Sequence, residues 1–224
     1  MDKSQSARSE GNRRSRTYNV ERTKAIILDA AEEAFAERGF DGARIDAIAE
    51  ASGYNKSLIY QYFGDKLMLY TEVVKRADEV GGAAAGGAVA DVLHDESVIE
   101  DREKFAVFLR KMIDALFEFL FAHPKYVQIL FWEAAAEWKT WNTITYRPDD
   151  TTEIVRIVEQ ARDTGIVRAD FDPDMFPAFI MNVTAGTIRF SHRFGEFWPE
   201  GETDERKRHM MKQVGDLVVH GLLT

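Results

Sequence analysis

The sequence predicts an all-α protein of roughly eight to ten helices. Apolar residues recur at helical spacing in nearly every segment after residue 20, no run alternates as a strand would, and no βαβ pattern occurs. The elements follow in chain order. In 21–38, Ile27, Ala30, Ala31, Ala34 and Phe35 form one stripe that Gly39 ends. Two short helices, 45–51 and 56–63, flank Ser52-Gly53-Tyr54-Asn55. A helix from Asp65 or Lys66 runs to about Val80, where Gly81, Gly82, Gly86 and Gly87 predict a break or soft linker. The reason is that each interior glycine costs about 1 kcal/mol against alanine. Helix 104–122 carries Phe105, Phe108, Leu109, Met112, Leu116, Phe119 and Leu120 over four turns, widened by Ile113, Phe117 and Phe121, so it is expected to be central and surrounded. Pro124 suits the start of the next helix, 125–140. Helix 151–164 closes at Gly165, Asp172-Pro173 opens a helix to about Phe194, and the last runs from 204 to 222.

Composition bounds the function. The chain has 224 residues, 45% hydrophobic and 30% charged, enough to bury a core. It has no Cys, which excludes a disulfide scaffold, a cysteine zinc site and thiol catalysis. The N-terminus is polar and basic without an apolar signal-peptide core, and the longest uncharged stretch, 175–188, is short of the roughly 20 residues that span a bilayer. The expectation is a cytoplasmic protein with no membrane association. The net charge of -9 argues against a nucleic-acid binder, but its distribution does not. Residues 1–66 hold 11 Lys/Arg and 11 Asp/Glu, so the later chain carries the whole deficit. Within 3–24, Lys3, Arg8, Arg13, Arg14, Arg16, Arg22 and Lys24 face only Glu10 and Glu21. Residues 1–20 therefore read as a basic flexible arm, either a nucleic-acid contact or a solubilising tail.

The informative segment is 45–63. A helix-turn-helix joins two short helices through a tight turn. It needs a small residue where the helices approach, which Ala49 supplies, and a residue at ease with positive φ in the turn, which Gly53 supplies. Ile48, Tyr54, Ile59 and Tyr62 can close the small core, and Asn55 can cap the second helix. The string continues from Ala30-x3-Ala34-Phe35-x3-Gly39-Phe40, through Ile48-Ala49-x3-Gly53, to Lys56-x-x-Ile59-Tyr60-x-Tyr62-Phe63-x-x-Lys66-x2-Leu69. On these residues, about 21–70 resemble the DNA-binding domain of the TetR (tetracycline-repressor-like) family of bacterial transcriptional regulators.

The resemblance implies an N-terminal three-helix helix-turn-helix DNA-binding domain, 21–68, followed by a larger helical effector-binding and dimerisation domain, 69–224. Residues Asn55 to Phe63 become the recognition helix, with Lys56 and Ser57 at its N-terminus facing phosphates. Tyr60 is a phosphate and base-edge contact in preference to a core aromatic. Gln61, where the family often has His, can pair with adenine. Lys66 at a helix start runs against the helix dipole, which a nearby phosphate would offset. The chain departs from the family at Ala43-Arg44, where a Ser or Thr usually caps the helix: the cap is lost, and Arg44 takes the phosphate contact. A frequent basic residue of the family is Asp46 here. The expected DNA-binding set is Arg44, Asn55, Lys56, Ser57, Tyr60, Gln61 and Lys66.

Other signals fail. Asp170-x-Asp172-x-Asp174 lacks the glycine and glutamate of a calcium loop, the glycines at 81–87 lack a phosphate-loop context, and the five His have no metal spacing. Neither a cofactor, a metal site nor a catalytic arrangement is expected. The reading is a ligand-responsive repressor that binds a palindromic double-stranded DNA operator as a homodimer; an all-α enzyme and a constitutive DNA-binding protein without effector are the alternatives. If the family layout holds, Met112, Leu116, Phe131, Trp132, Phe179 and Val183 enclose a cavity for an apolar or aromatic small-molecule effector, with Glu133 and Asn182 as polar anchors; a dry core is the competing reading. The resemblance implies that helices 174–194 and 204–222 meet their symmetry mates as a four-helix bundle, through Phe176, Phe179, Ile180, Val183, Thr187 and Phe190, and Met210, Met211, Val214, Leu217 and Val218. Burial of these residues within the monomer is the alternative.

Overall fold

The computed structural model describes residues 3–144, 150–191, 193–194 and 204–224. Its helices are α1 (Lys3–Gly42), α2 (Ile45–Ser52), α3 (Lys56–Phe63), α4 (Lys66–His94), α5 (Arg102–Ala122), α6 (Pro124–Ala135), α7 (Asp150–Asp163), α8 (Phe176–Ser191) and α9 (Asp204–Leu222). Short 3-10 turns cover Glu96–Ile99, Trp141–Thr143 and Pro173–Met175. Among the described residues the only extended pairing is an isolated bridge between Val167 and Leu223.

Three local expectations are corrected. The expected flexible arm is helical from Lys3, continuous with the packed part of α1. Extending a helix that is already nucleated fixes one residue per added hydrogen bond, so a polar stretch without proline can follow it. The side chains of Lys3, Arg8, Arg13, Arg14 and Arg16 lie outside the described set. Second, α4 runs unbroken through Gly81 to Gly87. A Cβ at Gly81 would stand 3.0 Å from the Phe119 ring, so glycine there admits α5 close against α4. Third, α6 stops at Ala135, and the chain turns through Glu137 and Trp138, both at positive φ.

The chain forms two compact units, 1–76 with 128–146, and 77–127 with 147–224. The division between them falls inside α4 and inside α6. In the first unit, Ile27, Ala31 and Phe35 of α1 pack with Ile45 and Ile48 of α2, Ile59 and Phe63 of α3, and Leu69, Tyr70, Val73 and Val74 of α4. Ile129 and Ile144, distant in sequence, complete this core. Arg76 ties α4 to α1 through Asp29 at 2.6 Å and Glu32 at 2.8 Å. The second unit is built round α5, whose Phe105, Leu109, Ile113, Phe117 and Leu120 are wholly enclosed, as its broad stripe predicts. Ile157 and Val158 of α7, Phe176 and Ile180 of α8, and Val214, Val218 and Leu222 of α9 share that core. The tail closes it: Arg168 N–H donates to Leu222 O and Thr224 N–H to Ile166 O.

Burial also sorts the two helices expected at a dimer interface. Phe176, Ile180, Met210, Val214 and Val218 are buried in the monomer. On the same helices Phe179, Phe190 and Leu217 are exposed, Leu217 by 71%.

Candidate nucleic-acid interface

The turn of 45–63 takes its shape from two residues. Gly53 ends α2 in the left-handed region at φ 74° and ψ 11°, its N–H donating to Glu50 O. Asn55 then caps α3, its side-chain oxygen accepting from Leu58 N–H at 2.9 Å. This satisfies one donor that the first turn of the helix would leave unpaired. At the start of α2, Arg44 occupies the cap position with extended backbone and makes no capping hydrogen bond.

Ile59 and Phe63 turn α3 into the core, and its other side is open. At 3.6 residues per turn, Lys56, Ser57, Tyr60 and Gln61 share an arc of about 140°. All four are exposed, Tyr60 by 40% despite its aromatic ring. Arg44 and Asn55 are exposed as well, and Lys66 is half-buried. An aromatic, an amide, a hydroxyl and a cation on one face of a short helix can together reach phosphates and base edges, and the face fits the width of a major groove.

Two cations are already engaged. Lys56 Nζ lies 3.0 and 3.3 Å from the two carboxylate oxygens of Asp46 in the first turn of α2. That hydrogen bond and the attached charge raise the lysine above its ordinary pKa. Lys66 Nζ reaches Asp41 O at 3.4 Å and lies 4.7 Å from the centre of the Phe40 ring. Burial pushes its pKa down, with Asp41 opposing. The Asp46–Lys56 pair was not anticipated from sequence, although Asp46 stood out as a departure.

The residues expected round an effector are divided. Met112 is buried in the α5 core, Leu116 and Val183 are half-buried, and Phe179 and Asn182 are exposed, all in the second unit. Asn182 donates to Ala178 O on its own helix. Phe131, Trp132 and Glu133 belong to the first unit, with the helix-turn-helix. There Trp132 Nε1–H donates to Ala36 O at 3.0 Å. Glu133 is 2% exposed; its carboxylate accepts from Tyr70 OH at 2.6 Å and from Trp141 N–H at 3.0 Å. Its role as a ligand anchor is corrected to an internal tie, because both oxygens already have protein donors. Two surface grooves, of about 370 and 230 Å³, are lined in part by Lys24, Glu72 and Arg76, and by Arg110, Asp114 and Arg208; neither contains any of the eight expected residues. Among the described residues, no group of three or more His, Asp or Glu could hold a metal ion, and no helix is long and apolar enough to cross a membrane.

The described residues are helical and include a capped helix-turn-helix, which places the chain in the helix-turn-helix class. Residues 27–73 match the model of bacterial regulatory proteins of the tetR family, and 106–218 match the tetracyclin repressor-like C-terminal domain. The chain belongs to the TetR family. It is 35% identical over 113 residues to the HTH-type transcriptional repressor SCO4008 of Streptomyces coelicolor, covering 50% of each chain. It is 33% identical over 110 residues to the HTH-type transcriptional activator FasR of Mycolicibacterium smegmatis, covering 49% of this chain and 46% of that one. The chain thus spans about half the length of these curated relatives. In fold it is similar to the ketosteroid transcriptional regulator KstR2 of Mycobacterium tuberculosis, with TM-score 0.61, 20% identity, and coverage of 90% of this chain and 95% of that one.

Proposed function

We propose that the protein is a ligand-responsive transcriptional repressor that binds a palindromic operator as a homodimer. The observation that carries this reading is the open face of α3, where Lys56, Ser57, Tyr60 and Gln61 stand exposed on a capped helix-turn-helix. Each subunit sets α3 in a major groove, and the two half-sites lie about 34–36 Å apart. Arg44, Lys56 and Lys66 supply phosphate contacts, and Gln61 reads a base edge. The exposed Phe179, Phe190 and Leu217 support a homodimer through α8 and α9. An apolar or aromatic small molecule bound in the second unit releases the DNA; a coupling of about 1–3 kcal/mol is enough for a 5–150-fold change in affinity. The similarity to the repressor SCO4008 supports repression.

The test is fluorescence anisotropy of the full chain on duplexes from the region upstream of its own gene, with random duplex as competitor. Saturable binding that resists the competitor, weakens in Tyr60→Ala and falls on addition of a small-molecule metabolite pool is expected. Equal affinity for upstream and random duplexes would reject operator recognition.

A further inference from the structure

We propose that Asp46 is a specificity-determining residue of the DNA interface: it occupies Lys56 in the free protein and so withholds one cation from DNA that fits no other part of the site. This rests on the DNA-binding reading above.

The geometry is direct. Lys56 is the first residue of α3, and its ammonium lies between both carboxylate oxygens of Asp46, at 3.0 and 3.3 Å. Both side chains are open to solvent, the lysine 47% and the aspartate 76% exposed. The pair is therefore not a buried structural tie, and a phosphate oxygen can reach the same ammonium. An exposed pair of this kind is weak and exchangeable. Asp46 is also stabilised where it stands, in the first turn of α2, whose N-terminus no side chain caps.

Charge in this part of the chain is finely balanced. Across 43–66 the cations Arg44, Lys56 and Lys66 are matched by Asp46, Glu50 and Asp65. Non-specific affinity for DNA comes almost wholly from phosphate neutralisation, whereas the uncharged Ser57, Tyr60 and Gln61 on the α3 face can read base edges. Cancelling Lys56 in the free protein thus lowers binding to every sequence. On the operator, the other contacts hold a phosphate close enough to take the lysine from the carboxylate. The ratio of specific to non-specific affinity rises as a result.

The experiment compares wild type, Asp46→Asn, Lys56→Met and the double variant as full chains. Each binds the upstream duplex and a random duplex of equal length between 50 and 200 mM salt, with circular dichroism melts to confirm folding. Asparagine keeps the side-chain shape and removes the charge. On the random duplex, Asp46→Asn is expected to tighten binding and to steepen the slope of log K against log salt by about 0.9, so that it loses about 3.5-fold more affinity than wild type across that range. The ratio of the two affinities should fall, and Lys56→Met should abolish the gain. An unchanged slope and ratio in a folded Asp46→Asn chain, or an equal gain in the Lys56→Met background, overturns the inference while leaving DNA binding intact. A wild-type chain that binds no DNA at 50 mM salt instead rejects the DNA-binding reading, and this inference with it.

Discussion

Replacing Tyr70 by phenylalanine removes one oxygen from the core of the first unit and keeps everything else. The ring is 1% exposed and packs edge-on against Phe35 at 4.9 Å and Phe40 at 5.2 Å, contacts that phenylalanine retains. What is lost is the 2.6 Å hydrogen bond to Glu133, which leaves a carboxylate of 2% exposure with only the Trp141 N–H as donor. A hydrogen bond to a charged group contributes about 1.5–3 kcal/mol, and removing the hydroxyl takes from one Glu133 oxygen its 2.6 Å donor. A loss of about 2 kcal/mol is expected. For a unit of this size that lowers the melting midpoint by about 8–16 °C. Trp132, Trp138 and Trp141, three of the four tryptophans, lie in that unit, so intrinsic fluorescence reports its unfolding. An unfolding free energy from urea titration within about 0.5 kcal/mol of wild type would overturn this account, since typical surface substitutions cost no more. The pH dependence gives a second check. Burial, then the hydrogen bond to and the charge of Glu133, push the Tyr70 phenol well above its ordinary value. The folded state then holds its proton where the unfolded chain releases it, so this stability is full below about pH 10 and is lost as pH rises beyond. Tyr70→Phe should lose stability less steeply above that pH.

Leu217→Glu should give monomers by light scattering coupled to size exclusion without loss of helix, whereas Val214→Glu should unfold the second unit, because only Val214 is buried in it; an unchanged dimer in Leu217→Glu would remove α9 from the interface. Gly81→Val should destabilise by about 1–3 kcal/mol through overpacking against Phe119, despite the better helix propensity, and a stabilised chain in denaturant titration would contradict the close approach. Asp216 is held down to about pKa 2 by hydrogen bonds from Lys212 and Arg110, with their charges adding to the effect. Its folded pKa lies below the unfolded one, so its contribution is present above about pH 4 and lost as pH falls towards 2; Asp216→Asn should flatten the acid limb of an unfolding titration there.

The features legible from residue order alone are local. The helix-turn-helix was legible because Ala49, Gly53 and Asn55 lie within a few residues of one another, and the turn angle and the cap depend only on near neighbours. The same holds for α5, whose stripe is wide enough to require neighbours on most sides. Which neighbour each helix side meets is settled by long-range packing. Helical spacing marks Val214 and Leu217 alike as apolar, and packing alone buries one and exposes the other. Four interior glycines argue for a break in α4 by propensity, yet the helix continues where Gly81 admits the Phe119 ring. Trp132 and Glu133 looked like the wall of a ligand cavity, but they bond to Ala36 and Tyr70, 96 and 63 residues away in sequence. Periodicity carries no record of such pairings, because the spacing along one helix specifies its apolar side and leaves its partner to the fold.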